Sequence, residues 1–218
     1  MKKLNFLHIG KNAGTQIKLY AESLNAIQSK YLIVTHRHRT FLRDLPDNEA
    51  FFFSIRDPIT RFYSAFYSRK RKDAPRIYAE HSINEHLAFN EFEHANDLAE
   101  ALFCDSKESI MAICAIKSII HTSMNQIDFF SCQGNFFRTR PPFHIIRQEF
   151  FDFDIMNFQK KLGIKTSITI PIDRVKSHAN DYSNLPLLSD IALKNLTNWY
   201  SQDFEFYKAC SCWLKDNS

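Results

Sequence analysis

The sequence has little of what bends or breaks a chain: 4 of its 218 residues are glycine and 7 are proline, while hydrophobic residues make up 44%. That balance excludes collagen-like, low-complexity and disordered classes, because enough apolar surface is present to offset the entropy of ordering. Long apolar runs are missing as well. The longest, Ile110 to Ile120, is broken by Lys117 and Ser118, well short of the roughly 18 residues that a membrane span needs. A soluble chain is expected. Lys2 and Lys3 precede an apolar segment, Leu4 to Ile9, that Asn5 and His8 interrupt, so no export signal is read there. The 5 cysteines, Cys104, Cys114, Cys132, Cys210 and Cys212, are odd in number and include no C-x-x-C pair. Neither a disulfide framework nor a zinc ribbon is indicated, and reduced thiols in a cytoplasm are expected. Excess charge is also small, since 28 basic against 24 acidic residues leave +4. This suits an anionic ligand and makes no demand for a nucleic acid.

What is present is an alternation of buried strands and amphipathic helices. Leu4 to Ile9 reads as a strand, Gly10 to Gly14 as a tight loop, and Ile17, Tyr20, Ala21, Leu24 and Ile27 as one stripe on a helix from about Gly14 to Ser29. Tyr31 to Thr35 is a second strand, ending in the basic run His36 to Arg39, and Ala50 to Ile55 is a third. Asp57-Pro58 then supplies an N-cap and a first-turn proline to a helix with Ile59, Phe62, Tyr63, Phe66 and Tyr67 on its apolar face. Further on, Ser82 to Glu85 reads as a capping box, Asn96 as the cap of a short helix, and Ile110 to Ile120 as a third helix. Phe143 to Ile146 returns to the sheet, Asp154 to Leu162 is a helix stopped by Gly163, and Leu188 to Trp213 is helical. The expected fold is α/β, a P-loop-like three-layer arrangement with a central parallel sheet flanked by helices. One domain over residues 1–218 is expected from the length. Ligands of such sheets bind beyond the carboxyl ends of the strands.

Two segments place chemistry at those ends. Gly10-Lys11-Asn12-Ala13-Gly14-Thr15-Gln16 joins a strand to a helix N-terminus, which aims backbone N–H groups and the helix dipole at an anion. It lacks the G-x-x-x-x-G-K-[ST] spacing of a Walker A loop, since Lys11 precedes the second glycine. Arg56 stands at the end of the third strand, and Ser64 follows eight residues later on the next helix.

These two segments together resemble the sulfotransferase superfamily, most closely the branch that modifies carbohydrate hydroxyls with 3′-phosphoadenosine 5′-phosphosulfate (PAPS). Phe6 to Thr15 is similar to that family's 5′-phosphosulfate loop, and Arg56-Asp57-Pro58 with Ser64 to its 3′-phosphate motif. Weaker similarity continues at His36-x-His38, Ile146 to Phe150 and Asp203-Phe204. Gly10 departs from the family's usual proline, and Gln16 from a common Ser or Thr. The resemblance implies a donor site built from Lys11, Asn12, Ala13, Gly14, Thr15, Gln16, Arg56 and Ser64. Lys11 would stabilise charge on the leaving phosphate, helped by the amides of Asn12 to Gln16. Arg56 and Ser64 would hold the 3′-phosphate, no metal is called for, and adenosine 3′,5′-bisphosphate (PAP) is the product. His38 is the expected base, with His36 as an orienting or acceptor-binding residue and next in line for the base role. The acceptor would be a hydroxyl on a saccharide or glycolipid.

Other readings compete with these. His36 and His38 could instead form a His-x-His metal site or an exposed basic strand end. Arg69 to Lys72 could attract an anionic acceptor or simply be a solvated helix end. Arg138, Arg140, Arg174 and Lys176 are further candidate basic contacts, and the pairs Phe129-Phe130, Phe136-Phe137 and Phe150-Phe151 are core or stacking surfaces. His8, His144 and His178 read as structural. The functional rivals are a P-loop nucleotide kinase or related phosphotransferase and a non-catalytic anion or nucleic-acid binder.

Overall fold

A computed structural model describes residues 1–27, 30–75, 77–130, 135–164 and 182–217. Cys132, Arg174, Lys176 and His178 lie outside the described residues. Strands β1 (Lys2–Leu7), β2 (Tyr31–Thr35), β3 (Ala50–Ile55) and β4 (His144–Arg147) form one sheet in the order β2-β1-β3-β4. All pairs are parallel, with Phe6 opposite Phe52 and Ile55 opposite Arg147.

The solid apolar strands make sense because both faces of this sheet are covered. On one face Leu4, Phe6, Phe52 and Ile146 pack against helices α1 (Gly14–Ala26) and α7 (Phe151–Leu162) through Ile17, Leu24 and Phe158. On the other, Phe53 meets Phe130, Phe136 and Phe206 at centroid separations of 4.7, 6.0 and 6.2 Å. Phe136 lies on the short α6 (Phe136–Thr139) and Phe206 on α9 (Ser201–Asp216). Three layers result, and the fold is α/β as the alternation of elements implies. Helix α7 ends as expected: Gly163 adopts φ 74°, and the Ile164 and Gly163 amides close back on Gln159 and Lys160. Only a residue that tolerates the left-handed region stops a helix this way at no steric cost.

By contact density the chain divides into two units, the first comprising Met1–Asp57, Gln126–Ser177 and Glu205–Ser218 and holding the sheet, the second Pro58–Asn125 and His178–Phe204. The second unit is helical: α2 (Pro58–Lys70), α3 (Ile83–Glu91), α4 (Ala95–Ala101), α5 (Lys107–Ser118) and α8 (Asp190–Trp199). Phe62, Phe66, Leu98, Leu102, Ile116 and Leu196 are buried at its centre. The capping box is present, Ser82 Oγ accepting from the Glu85 amide and Glu85 from the Ser82 amide. The expected Asn96 cap is not: α4 starts two residues earlier than that cap implies, with His94 as N-cap, and Asn96 Oδ1 accepts from the Ser189 amide at 2.8 Å. No described helix is long and apolar enough to cross a membrane.

The basic run Arg69 to Lys72 is neither an open anion patch nor a solvated helix end. Arg69 is 1% exposed, with its guanidinium on Glu85 and Asp73, while Lys72 pairs with Glu80 and Lys70 donates to the Glu93 carbonyl. Arg140 is spent on structure as well, donating to the Leu42 and Leu45 carbonyls at 3.1 and 3.3 Å.

Candidate functional site

Within the first unit, β1 has β2 on one side and β3 on the other, so the strand order reverses at the carboxyl ends of β1 and β3, the place where sheets of this kind take ligands. The loop from His8 to Ala13 leaves β1 at that edge, and Arg56 follows β3. The loop turns by an unexpected device. Lys11 and Ala13 take the left-handed conformation, with φ of 70° and 57°, at a cost of roughly 1–2 kcal/mol each for a residue with a Cβ. Gly14 begins α1 with ordinary backbone and is required for another reason: a Cβ there would lie 1.8 Å from His8 Nε2. Ala13, the N-cap, offers α1 no side-chain acceptor, and the first turn of the helix carries no acidic residue, so no carboxylate of that turn offsets the positive end of the dipole.

Buried polar contacts hold the strained loop. Asn12 is 0% exposed, and its Nδ2 donates to the Ser54 carbonyl at 2.9 Å and to Gln126 Oε1 at 2.7 Å. Ser54 Oγ donates back to the Asn12 carbonyl at 2.5 Å. The Asn12 side-chain amide is therefore committed to the interior, and its carbonyl to Ser54. Thr15 and Gln16 are half-buried on the first turn of α1. Arg56 Nη1 donates to the Lys11 carbonyl at 3.3 Å, which joins the two basic residues at one edge. Ser64 lies on α2 of the second unit and is 6% exposed.

The two histidines separate. Strand β2 ends at Thr35, so the alternation that would put residues 36 and 38 on one face does not extend to them. His36 Nε2 bonds Asn5 Oδ1 at 2.8 Å, and Asn5 Nδ2 donates to Glu49 Oε2 at 3.0 Å. Burial pushes the His36 pKa down, partly opposed by Glu49. His38 is exposed, and its ring lies 3.8 Å from that of His8, centroid to centroid. His8 is 3% exposed and stacks on Phe6. The His8 ring thus lies between His38 and Gly14, where the loop enters α1. His144 is structural as expected, bonded to the Asp154 carbonyl at 2.9 Å, with burial lowering its pKa to about 4.

Gln126 carries no sequence signal, whereas Glu149 lies in the Ile146 to Phe150 segment singled out from the sequence. Gln126 stands 70 positions from Arg56 and bonds both of its backbone groups. Glu149 accepts from the Asp57 amide at 2.9 Å and from the Tyr207 hydroxyl at 3.0 Å. Nearby, Arg147 forks onto Asp154 at 2.9 and 2.8 Å and lies over the ring of Phe150, which is 51% exposed. Phe130 and Phe136, by contrast, are core. Among the described residues no three His, Cys, Asp or Glu side chains cluster as a metal site.

Fold and site together define an α/β protein with a strand-to-helix loop and an arginine at the switch point of a parallel sheet. Scans against protein-family models and curated proteins return no match to the chain.

Proposed function

We propose that the chain is a sulfotransferase that moves the sulfuryl group of PAPS to a hydroxyl acceptor, with a saccharide or glycolipid as the acceptor class and the cytoplasm as its compartment. The observation that carries the reading is the juxtaposition of Arg56 with the Lys11 loop, through the Nη1 to carbonyl bond of 3.3 Å. The donor carries two anionic groups at opposite ends of its ribose, and the edge offers two cationic features of matching kind. The N-terminal end of α1 and Lys11 suit the 5′-phosphosulfate, and the Arg56 fork suits the 3′-phosphate.

Transfer of this type asks for positioning and charge stabilisation more than covalent work by the protein. The acceptor oxygen attacks sulfur while the bond from sulfur to the phosphate oxygen breaks, and PAP leaves. Lys11 stabilises the charge that collects on the departing phosphate. His38, exposed beside the loop, takes the acceptor proton. His36, tied to Asn5, orients the strand end.

A thermal-shift titration tests the donor half. PAP at about 100 times its Kd is expected to stabilise the protein by about 2.7 kcal/mol, with ADP weaker and Arg56→Ala abolishing the shift. His38→Ala is expected to keep the PAP shift and to lose turnover by about 10²–10⁴-fold with PAPS and an accepting sugar. Stabilisation by ATP with magnesium alone would move the assignment to a phosphotransferase.

A further inference from the structure

Gln126 is 0% exposed, and bonds of its side-chain amide meet at the two anion-binding elements. Its Oε1 accepts from Asn12 Nδ2 at 2.7 Å and from the Arg56 amide at 3.0 Å, and its Nε2 donates to the Arg56 carbonyl at 2.8 Å. Asn12 belongs to the loop and Arg56 to the end of β3, so one amide spans both. It also continues the sheet's pairing where β3 stops, because it satisfies the Arg56 N–H and C=O as a neighbouring strand would.

We infer that Gln126 is a positioning residue that fixes the Lys11 loop and Arg56 as one receptor of set spacing, and thereby selects ligands carrying two phosphate-type groups over ligands carrying one. The inference rests on reading the loop and Arg56 as anion sites. The argument is geometric. The left-handed residues Lys11 and Ala13 flank Asn12, whose side chain is held by Gln126 and by Ser54. Without Gln126 the loop keeps its Ser54 contacts, whereas Arg56 loses the partner of both backbone groups. The loop therefore retains its grip on one phosphate, and the guanidinium loses the registration that lets it reach a second. A neutral amide is also the right group for this place. It donates and accepts at once and adds no charge beside bound anions.

The test compares PAP with adenosine 5′-monophosphate by calorimetry on wild type, Gln126→Met and Gln126→Asn. The ratio of the two dissociation constants reports the 3′-phosphate contact alone, and a hydrogen bond to a charged group makes it about tenfold or more in the wild type. In Gln126→Met this ratio is expected to fall toward one, while monophosphate affinity changes less than about threefold. Gln126→Asn keeps an amide in the buried site but is one methylene short, and serves if the methionine variant does not fold. Amide exchange at Arg56 is expected to accelerate in both. An unchanged ratio, or equal weakening of both ligands, overturns the positioning role. Wild type that binds neither ligand, or binds both equally, overturns the anion-site reading itself, and that failure is visible before any variant is made.

Discussion

Arg69→Ala is expected to destabilise the protein by about 3–5 kcal/mol, the range for removing one member of a buried ion pair. Arg69 Nε and Nη2 meet the two Glu85 oxygens at 2.8 and 2.9 Å, and Nη1 meets Asp73 Oδ2 at 2.6 Å. The remaining donor capacity goes to the Ala79 and Glu80 carbonyls. Truncation leaves Glu85, itself 1% exposed, with only the Ser82 and Ile120 amides. Arg69→Lys should recover little, because a point charge on a flexible stem cannot form the side-on fork. A loss below about 1 kcal/mol in urea unfolding would show that the pair is open to solvent. The same network sets a pH dependence. Burial pushes the Glu85 carboxyl up, but Arg69 and the two amides outweigh it and hold the pKa down at about 2, against an ordinary 4.5. A carboxyl depressed in the folded state stabilises it above the unfolded value, and that contribution is lost as pH falls from about 4.5 toward 2. Glu85→Gln should flatten the acid limb of the stability profile in that window.

The second large effect concerns Gly14, where two physical arguments give opposite signs. Helix propensity alone makes Gly14→Ala stabilising by about 0.5–1 kcal/mol. Sterics makes it destabilising, because the new Cβ would stand 1.8 Å from His8 Nε2. His8 has little room to yield, being 3% exposed with Phe6 and His38 against its ring. Overpacking at about 1–3 kcal/mol outweighs the propensity gain, so the single variant should melt lower. In a His8→Ala background the clash is gone, and Gly14→Ala should become neutral or stabilising. A double-mutant cycle reads that coupling directly. Because the displaced ring carries His38, the base of the proposed transfer, Gly14→Ala should also lower turnover. Additive effects in the cycle would show that His8 and Gly14 do not press on each other.

Much of this architecture could be read from local pattern. The β2 and β3 boundaries, the Ser82 capping box and the Gly163 stop all follow from side-chain chemistry within a few residues of where it acts. The Asn96 cap failed because its carbonyl oxygen is taken by the Ser189 amide, 93 positions away. Arg69 misled for a related reason. A cation in the last turn of a helix satisfies the dipole rule wherever it points, and only the fold brings Glu85 and Asp73 to it. At the candidate site the loop, Lys11 and Arg56 were visible as motifs. The separation of His36 from His38 was not, since it depends on β2 ending at Thr35 and on Asn5 and His8 lying beside the strand end.

By itself the sequence determined the α/β class, because continuous apolar strands alternating with amphipathic helices can bury their surfaces only in a parallel sheet covered on both faces. It also determined where anionic chemistry could reside, since a strand-to-helix loop and an arginine at a strand end are local features. Only the tertiary structure decided which glycine is steric and which turns are left-handed, and that Gln126 joins the two motifs. Those depend on groups up to 114 residues apart meeting within hydrogen-bond distance, and no local preference encodes such a meeting.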